Sequence, residues 1–218
     1  MFGIEAKVPN NFDGIPVLNN LKATFYAFKE DRKADDIDNI WNVFEAALRL
    51  ADNDTEQNRK EFSKWYDLVH DQRCIRWNIT MGLYWIRPYT YINLDSRNRW
   101  YISNVENMPA EFVNSIKKKI NKVPNATDYL FIKDACIKAL EVGSYEYKNY
   151  PELSYSAWIV SEQVNRQKAA ANGKKLSNAA FLRWFKPLIQ ALRDLGGSGT
   201  PAAVSYTHLR AHETRHDL

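Results

Sequence analysis

The chain has 218 residues, 45% of them hydrophobic and 26% charged, which is enough to bury one sizeable core or two small ones and excludes domain-scale disorder. Its net charge of +4 permits a nucleic-acid partner without requiring one. The longest nearly apolar run, Ile79 to Ile86, is far too short to span a membrane, and the opening MFGIEAKVPN has no apolar signal core. No membrane partner is expected, and a cytoplasmic location is the default. Only Cys74 and Cys136 are present, each in an apolar helical context, so two reduced, packed thiols are expected.

In chain order, Leu18, Leu21, Phe25 and Phe28 recur at helical spacing, and Ile37, Ile40, Trp41, Phe44 and Leu48 repeat the pattern. Asp35 and Asp36 suit the N-terminus of that second helix, where unsatisfied amides attract carboxylates. A third helix is predicted from about Thr55 to Val69, with Phe62, Trp65 and Val69 on one side. From Trp77 the chain is dense in aromatics and broken by Pro88, which cannot donate a backbone hydrogen bond. This predicts a helix through about Ile86, an irregular or extended link, and a short helix capped by Asp95. Helices are expected over roughly 110–120, 127–141 and 154–170, with GSYEYKNYPEL as a loop or short strand. A last helix begins at Ser177, is kinked or restarted at Pro187, and stops at Gly196 and Gly197.

The fold class is therefore mainly α, a multi-helix globular domain with at most a small β or irregular element around 87–102. The helical region is expected to occupy 1–195, with an internal break near 103–109 or 171–176.

His208, His212 and His216 recur every four residues, a spacing that places three imidazoles on one helix face as in some zinc sites. The stretch VSYTHLRAHET that carries two of them, however, resembles the conceptual translation of a transposase-based sequencing adapter, and Asp217-Leu218 agree with its fixed flanking sequence. Residues 204–218 are accordingly expected to be non-native, no metal site is assigned to them, and the natural reading frame is expected to continue beyond Ala202. The preceding GGSGTP lacks the G-x-x-x-x-G-K-[ST] pattern of a phosphate loop and reads as a helix stop.

Three constellations bear on chemistry. Glu146-Tyr147-Lys148 is an E-x-K triplet that, on a strand beside an upstream aspartate such as Asp134, could hold Mg²⁺ and position water for a nuclease. Asp134 falls within a strong helical pattern, however, and no catalytic residue is assigned. The segment 83–102 carries Trp85, Arg87, Tyr89, Asn93, Arg97, Asn98, Arg99 and Trp100, flat rings and planar polar groups that could stack on bases and read their edges. Its structural alternative makes Trp85, Tyr91, Leu94 and Ile102 core, Asp95 a cap and the arginines ion-pair partners. Lys117, Lys118 and Lys119 could touch phosphates or form a solvated helix face. No nucleophile has a base beside it in sequence, and His70 is the one histidine outside the tail.

The blocks GIPVLNNLKATFYAFKEDRKADDIDNIWNVFEAAL, TMGLYWIRP, NLDSRNRWYI and LSYSAWIVSEQVN, in that order, resemble the N-terminal region of McrB-like AAA+ proteins, the motor subunits of modification-dependent restriction systems. FLRWFKPLIQALRDLGGSGTP is similar to the opening of the winged-helix module of Mrr-type restriction proteins, which places a truncated start of that module at 196–203. The resemblance implies an N-terminal region that selects DNA, modified or not, upstream of an AAA+ module that hydrolyses nucleotide and engages a nuclease subunit. The P-loop, the magnesium-binding acidic motif and the arginine finger are absent from this sequence. No cofactor is therefore expected here, nucleotide and Mg²⁺ belonging to the missing motor. The rival expectation is a protein-interaction domain that helps assemble the motor, using faces such as Trp41/Phe44 or Trp184/Phe185.

Overall fold

Helix formation follows the apolar periodicity along most of the chain. In the computed structural model the residues described are 14, 24–143, 145–171, 189–196 and 200. They contain α1 (Asp36–Asp52), α2 (Glu56–His70), α3 (Asn78–Ile86), α4 (Ser96–Ile102), α5 (Ala110–Ile116), α6 (Ala126–Val142) and α7 (Tyr150–Ala171). Residues 189–194 are also helical, and no strand occurs among the described residues, so the fold is mainly α as expected. The chain divides into two compact units, Asn11–Val164 and a second formed by Met1–Asn10 with Asn165–Leu218. The first unit holds α1 to α6 and the greater part of α7.

Local chemistry sets the helix starts. The Thr55 hydroxyl accepts the Asn58 amide at 3.2 Å, the Asp95 carboxylate accepts the Asn98 amide at 2.7 Å, and the Asn125 side chain accepts the Asp128 amide at 2.9 Å. Each satisfies a donor that the first helical turn would otherwise leave unpaired. Asp35 makes no side-chain cap at α1; the neighbouring Asp36 is buried instead and accepts the Lys33 amide at 2.9 Å. Pro151 in the first turn of α7 costs no helical hydrogen bond, which lets that helix begin at Tyr150 rather than near 154. α5 stops at Ile116, so Lys117 to Lys119 lie in the turn that follows it and not on a helix face. Gly196 closes the last described helical stretch with φ +78°, the left-handed conformation expected of a glycine helix stop. The rest of that predicted helix, residues 177–188, lies outside the described residues, as does the tail with its three histidines.

Two sequence expectations need correction. Thr24 to Phe28 are irregular, with a bend at Phe25 and Tyr26 in place of a helix; Phe25 packs against the core and Phe28 is exposed, while residues 15–23 lie outside the described residues. In α1 the buried face is Val43, Ala46, Ala47 and Leu50, whereas Trp41 is 61% exposed. Small alanines permit close approach of neighbouring backbone, so the helix turns that side inward although its largest ring lies elsewhere.

The centre of the first unit is a group of stacked rings. Phe62 lies 5.8 Å from Tyr91 and 5.4 Å from Tyr66, and Tyr66 lies 5.5 Å from Tyr129. All four are buried, and the three phenols donate to main-chain carbonyls: Tyr66 to Pro124 at 3.2 Å, Tyr91 to Ala47 at 2.6 Å and Tyr129 to Ile92 at 3.0 Å. These bonds tie α1, α2, α6 and the links before α4 and α6 to one another, and they satisfy oxygens that burial would otherwise penalise. Burial raises all three phenols above their ordinary range, which keeps them protonated and able to donate. Cys136 is buried and its thiol is pushed up to about 12 by desolvation, consistent with a packed, unreactive group. Cys74, half-buried, takes φ +73° at the bend before α3.

Arg59 on α2 bridges to Asp134 on α6 at 2.6 Å, and Lys133 reaches the same carboxylate at 2.7 Å. Burial alone would raise the Asp134 carboxyl, but the hydrogen bonds from Arg59 and Lys133 hold it below the usual carboxylate range. A carboxyl with a depressed folded pKa contributes stability that is present above its unfolded value and is lost as pH falls below about 4. Asp134→Asn is expected to flatten the acid limb of stability, measured as the change in urea midpoint between neutral pH and about pH 3. An unchanged limb would show that the pair contributes nothing.

Candidate functional site

The segment predicted to read bases separates into an inner and an outer set. Asn93 and Asn98 are buried, and this corrects the expectation that they face DNA. Asn98 Nδ2 donates to the Asn93 carbonyl at 3.0 Å and to Ser154 Oγ at 2.8 Å, while Asn93 Oδ1 accepts the Asp95 amide at 3.0 Å. The two amides join α4 to α7 and form the turn before α4. Asn98 Nδ2 and Asn93 Oδ1 are thereby committed to the protein, which offsets the cost of burying them. Asn93 Nδ2 is the one atom of this group left without a partner.

The arginines lie at the boundary. Arg87 pairs with Asp52 at 3.3 Å, Arg97 pairs with Glu162 on α7 at 3.0 Å, and Arg99 sits 3.7 Å from the centre of the Trp77 ring. Burial lowers the Arg99 pKa, but a guanidinium starting so far above neutrality stays charged. Among the rings, Tyr89 is 71% exposed, Trp85 46% and Trp100 40%; Trp100 leans edge-on against Tyr101. Lys117 and Lys118 are exposed, whereas Lys119 pairs with Asp128 and lies 4.8 Å from the Phe131 ring centre.

The E-x-K triplet lies in a loop without a strand. Lys148 Nζ donates to the carbonyls of Leu140 at 3.0 Å and Gly143 at 2.9 Å, terminating α6, and its backbone amide bonds Glu152. The lysine thus serves the helix end, where carbonyls lack partners and a cation is favoured. Asp134, the aspartate considered for that site, is held by Arg59 and Lys133. Among the described residues, no three His, Cys, Asp or Glu side chains gather as a metal-binding group. His70 bridges Asp71 at 2.7 Å and the Val123 carbonyl at 3.1 Å, joining the end of α2 to the loop before α6.

A concave apolar surface takes in part of the segment read for DNA. Phe25, Ile40, Phe44, Ile79, Trp85 and Ile86 line an apolar cleft of about 230 Å³ between α1 and α3. Gly82 makes room for it: a Cβ there would come within 3.1 Å of the Phe25 ring. Trp41 stands beside the cleft, its ring edge-on to Phe44 at 5.7 Å. The pairing of Trp41 with Phe44 is visible in the sequence as an apolar helix face. The contribution of Trp85 is not, because nothing local indicates that α3 turns that ring toward α1. A second groove, of about 510 Å³, runs between α5 and α6, lined by Phe112 and Phe131 together with Glu111, Asp134 and Lys138.

No helix among the described residues is long and apolar enough to cross a membrane. Residues 1–160 match the model of a family described as a domain of unknown function (DUF8425). Neither a curated protein nor a solved structure matches the chain.

Proposed function

The chain belongs to the DUF8425 family, and from that premise we propose that it is a non-catalytic adaptor region of a McrB-like antiviral restriction protein, which docks a protein partner through the Trp41–Phe44–Trp85 surface. The observation that carries this reading is an apolar cleft lined by the half-exposed Trp85, with Trp41, 61% exposed, set against its lining residue Phe44. Aromatic anchors around a concave apolar pocket are what protein interfaces concentrate at their centres. Of the polar groups that base reading requires, the two asparagines are buried, and Arg87 and Arg97 each have an acidic partner. The restriction-system setting rests on the resemblance of the four sequence blocks, and it assigns nucleotide, Mg²⁺ and the nuclease subunit to the motor assembly that this region would serve.

DNA binding is the second reading, supported by the exposure of Tyr89 and Trp100 and of Lys117 and Lys118. Incorporation of the photo-crosslinking residue benzoylphenylalanine at position 41 or at position 89 of the intact protein separates the two. Peptide adducts at position 41 in the native host support docking. Nucleotide adducts at position 89 with none at 41 overturn it. Fluorescence titration with methylated and unmethylated duplexes gives an independent check: docking predicts no salt-dependent binding, whereas each phosphate contact would add close to one unit to the slope of log affinity against log salt.

A further inference from the structure

The cleft has a charged border on one side. Asp38 and Glu45 lie one turn before and one turn after Trp41 on α1, and all three are exposed on the same helix face. The Asp38 carboxylate has no hydrogen-bond or ion-pair partner among the described residues. Glu45 meets only Arg49, at 3.5 Å with both side chains more than half exposed, a contact weak enough to be exchanged for another cation. Trp41 thus stands between two exposed acidic residues on the surface of α1, and its edge contact with Phe44 joins that surface to the apolar cleft.

We propose that this surface binds a basic segment of a partner protein, with one large apolar side chain seated in the cleft and a Lys or Arg laid over Trp41 between Asp38 and Glu45. The charge order selects the partner. A cation over an indole face is attracted by the ring, and flanking carboxylates add to that attraction while repelling an acidic segment. Phe44 both meets the Trp41 ring, at 5.7 Å, and lines the cleft, so one short segment of a partner can supply the cation and the apolar anchor together. The cleft, at about 230 Å³, holds a single large side chain and not an extended ligand.

This inference rests on the docking reading and adds the chemistry of the partner. Isothermal titration of the full chain against two probe peptides tests it. Both carry the same leucine and phenylalanine face; one has Lys and Arg beside that face, and the other has Glu at every one of those positions. The basic probe is expected to bind about tenfold or more tightly than the acidic one, and the double variant Asp38→Lys/Glu45→Lys to remove that preference with its circular dichroism unchanged. Equal binding of the two probes overturns the charge selection while leaving the docking reading standing. Binding of neither overturns the inference, and the cross-linking at position 41 then decides the docking reading separately. A preference for the basic probe that persists in the double variant would place the cation site elsewhere and also overturns it.

Discussion

Phe62→Ala is expected to lower the unfolding free energy by about 3–5 kcal/mol. Phe62 is buried and lies 5.8 Å from Tyr91 with the planes 15° apart, 5.4 Å from Tyr66 and 6.4 Å from Tyr129. Its removal loses the transfer energy of the ring and leaves a cavity. The surrounding tyrosines cannot collapse into that cavity without breaking their bonds to the carbonyls of Pro124, Ala47 and Ile92. Trp41→Ala, by contrast, is expected to cost no more than about 1 kcal/mol, since that ring is 61% exposed and contributes one edge contact with Phe44. Urea unfolding of both variants checks the pair. Equal losses would mean that α1 buries the Trp41 face its sequence pattern suggests rather than the Ala46–Ala47 face.

The second large effect concerns an amide that sequence alone assigns to base reading. Asn98→Asp is expected to cost about 3 kcal/mol at neutral pH, because Nδ2 is replaced by a carboxylate oxygen facing the Asn93 carbonyl in a buried site. Burial and the opposing carbonyl raise this carboxyl in the folded state above its unfolded value of about 3.9. The unfolded chain then releases its proton first, so the penalty grows as pH rises through about 4 and above. Below that pH both states are protonated, and the carboxyl O–H can donate to one of the former partners. The stability difference from the parent should therefore shrink between about pH 7 and pH 4, measured by urea midpoints. A small, pH-independent difference would place the side chain in solvent.

The helical class and most of its boundaries are legible in the sequence because their determinants are local. Apolar spacing places α2, α3 and α6, and Asp95 is recognisable as a cap because its hydrogen bond spans only three residues. The helix expected over 18–28 does not form across 24–28: a few apolar residues at the right spacing do not hold a short segment helical without caps or packing. The inward face of α1 escapes a periodicity count because large rings dominate it, whereas Ala46 and Ala47, which permit closer approach, weigh little in it. The role of Asn98 is hidden because its partner Ser154 is 56 residues away. Nothing near Asn98 in sequence distinguishes an amide that spans two helices from one that meets a ligand.

The sequence by itself determined that this chain is helical, where most helices start, and that it carries no phosphate-loop pattern, since these depend on composition, spacing and short-range hydrogen bonding. Tertiary structure alone decided which aromatic and polar side chains reach solvent. Phe44 and Trp85 come to line one cleft only because α1 and α3 pack side by side, while Asn98 is drawn inward to a hydrogen bond with Ser154 of α7. Exposure depends on the whole set of packed faces, and no residue's immediate neighbours in the chain encode it.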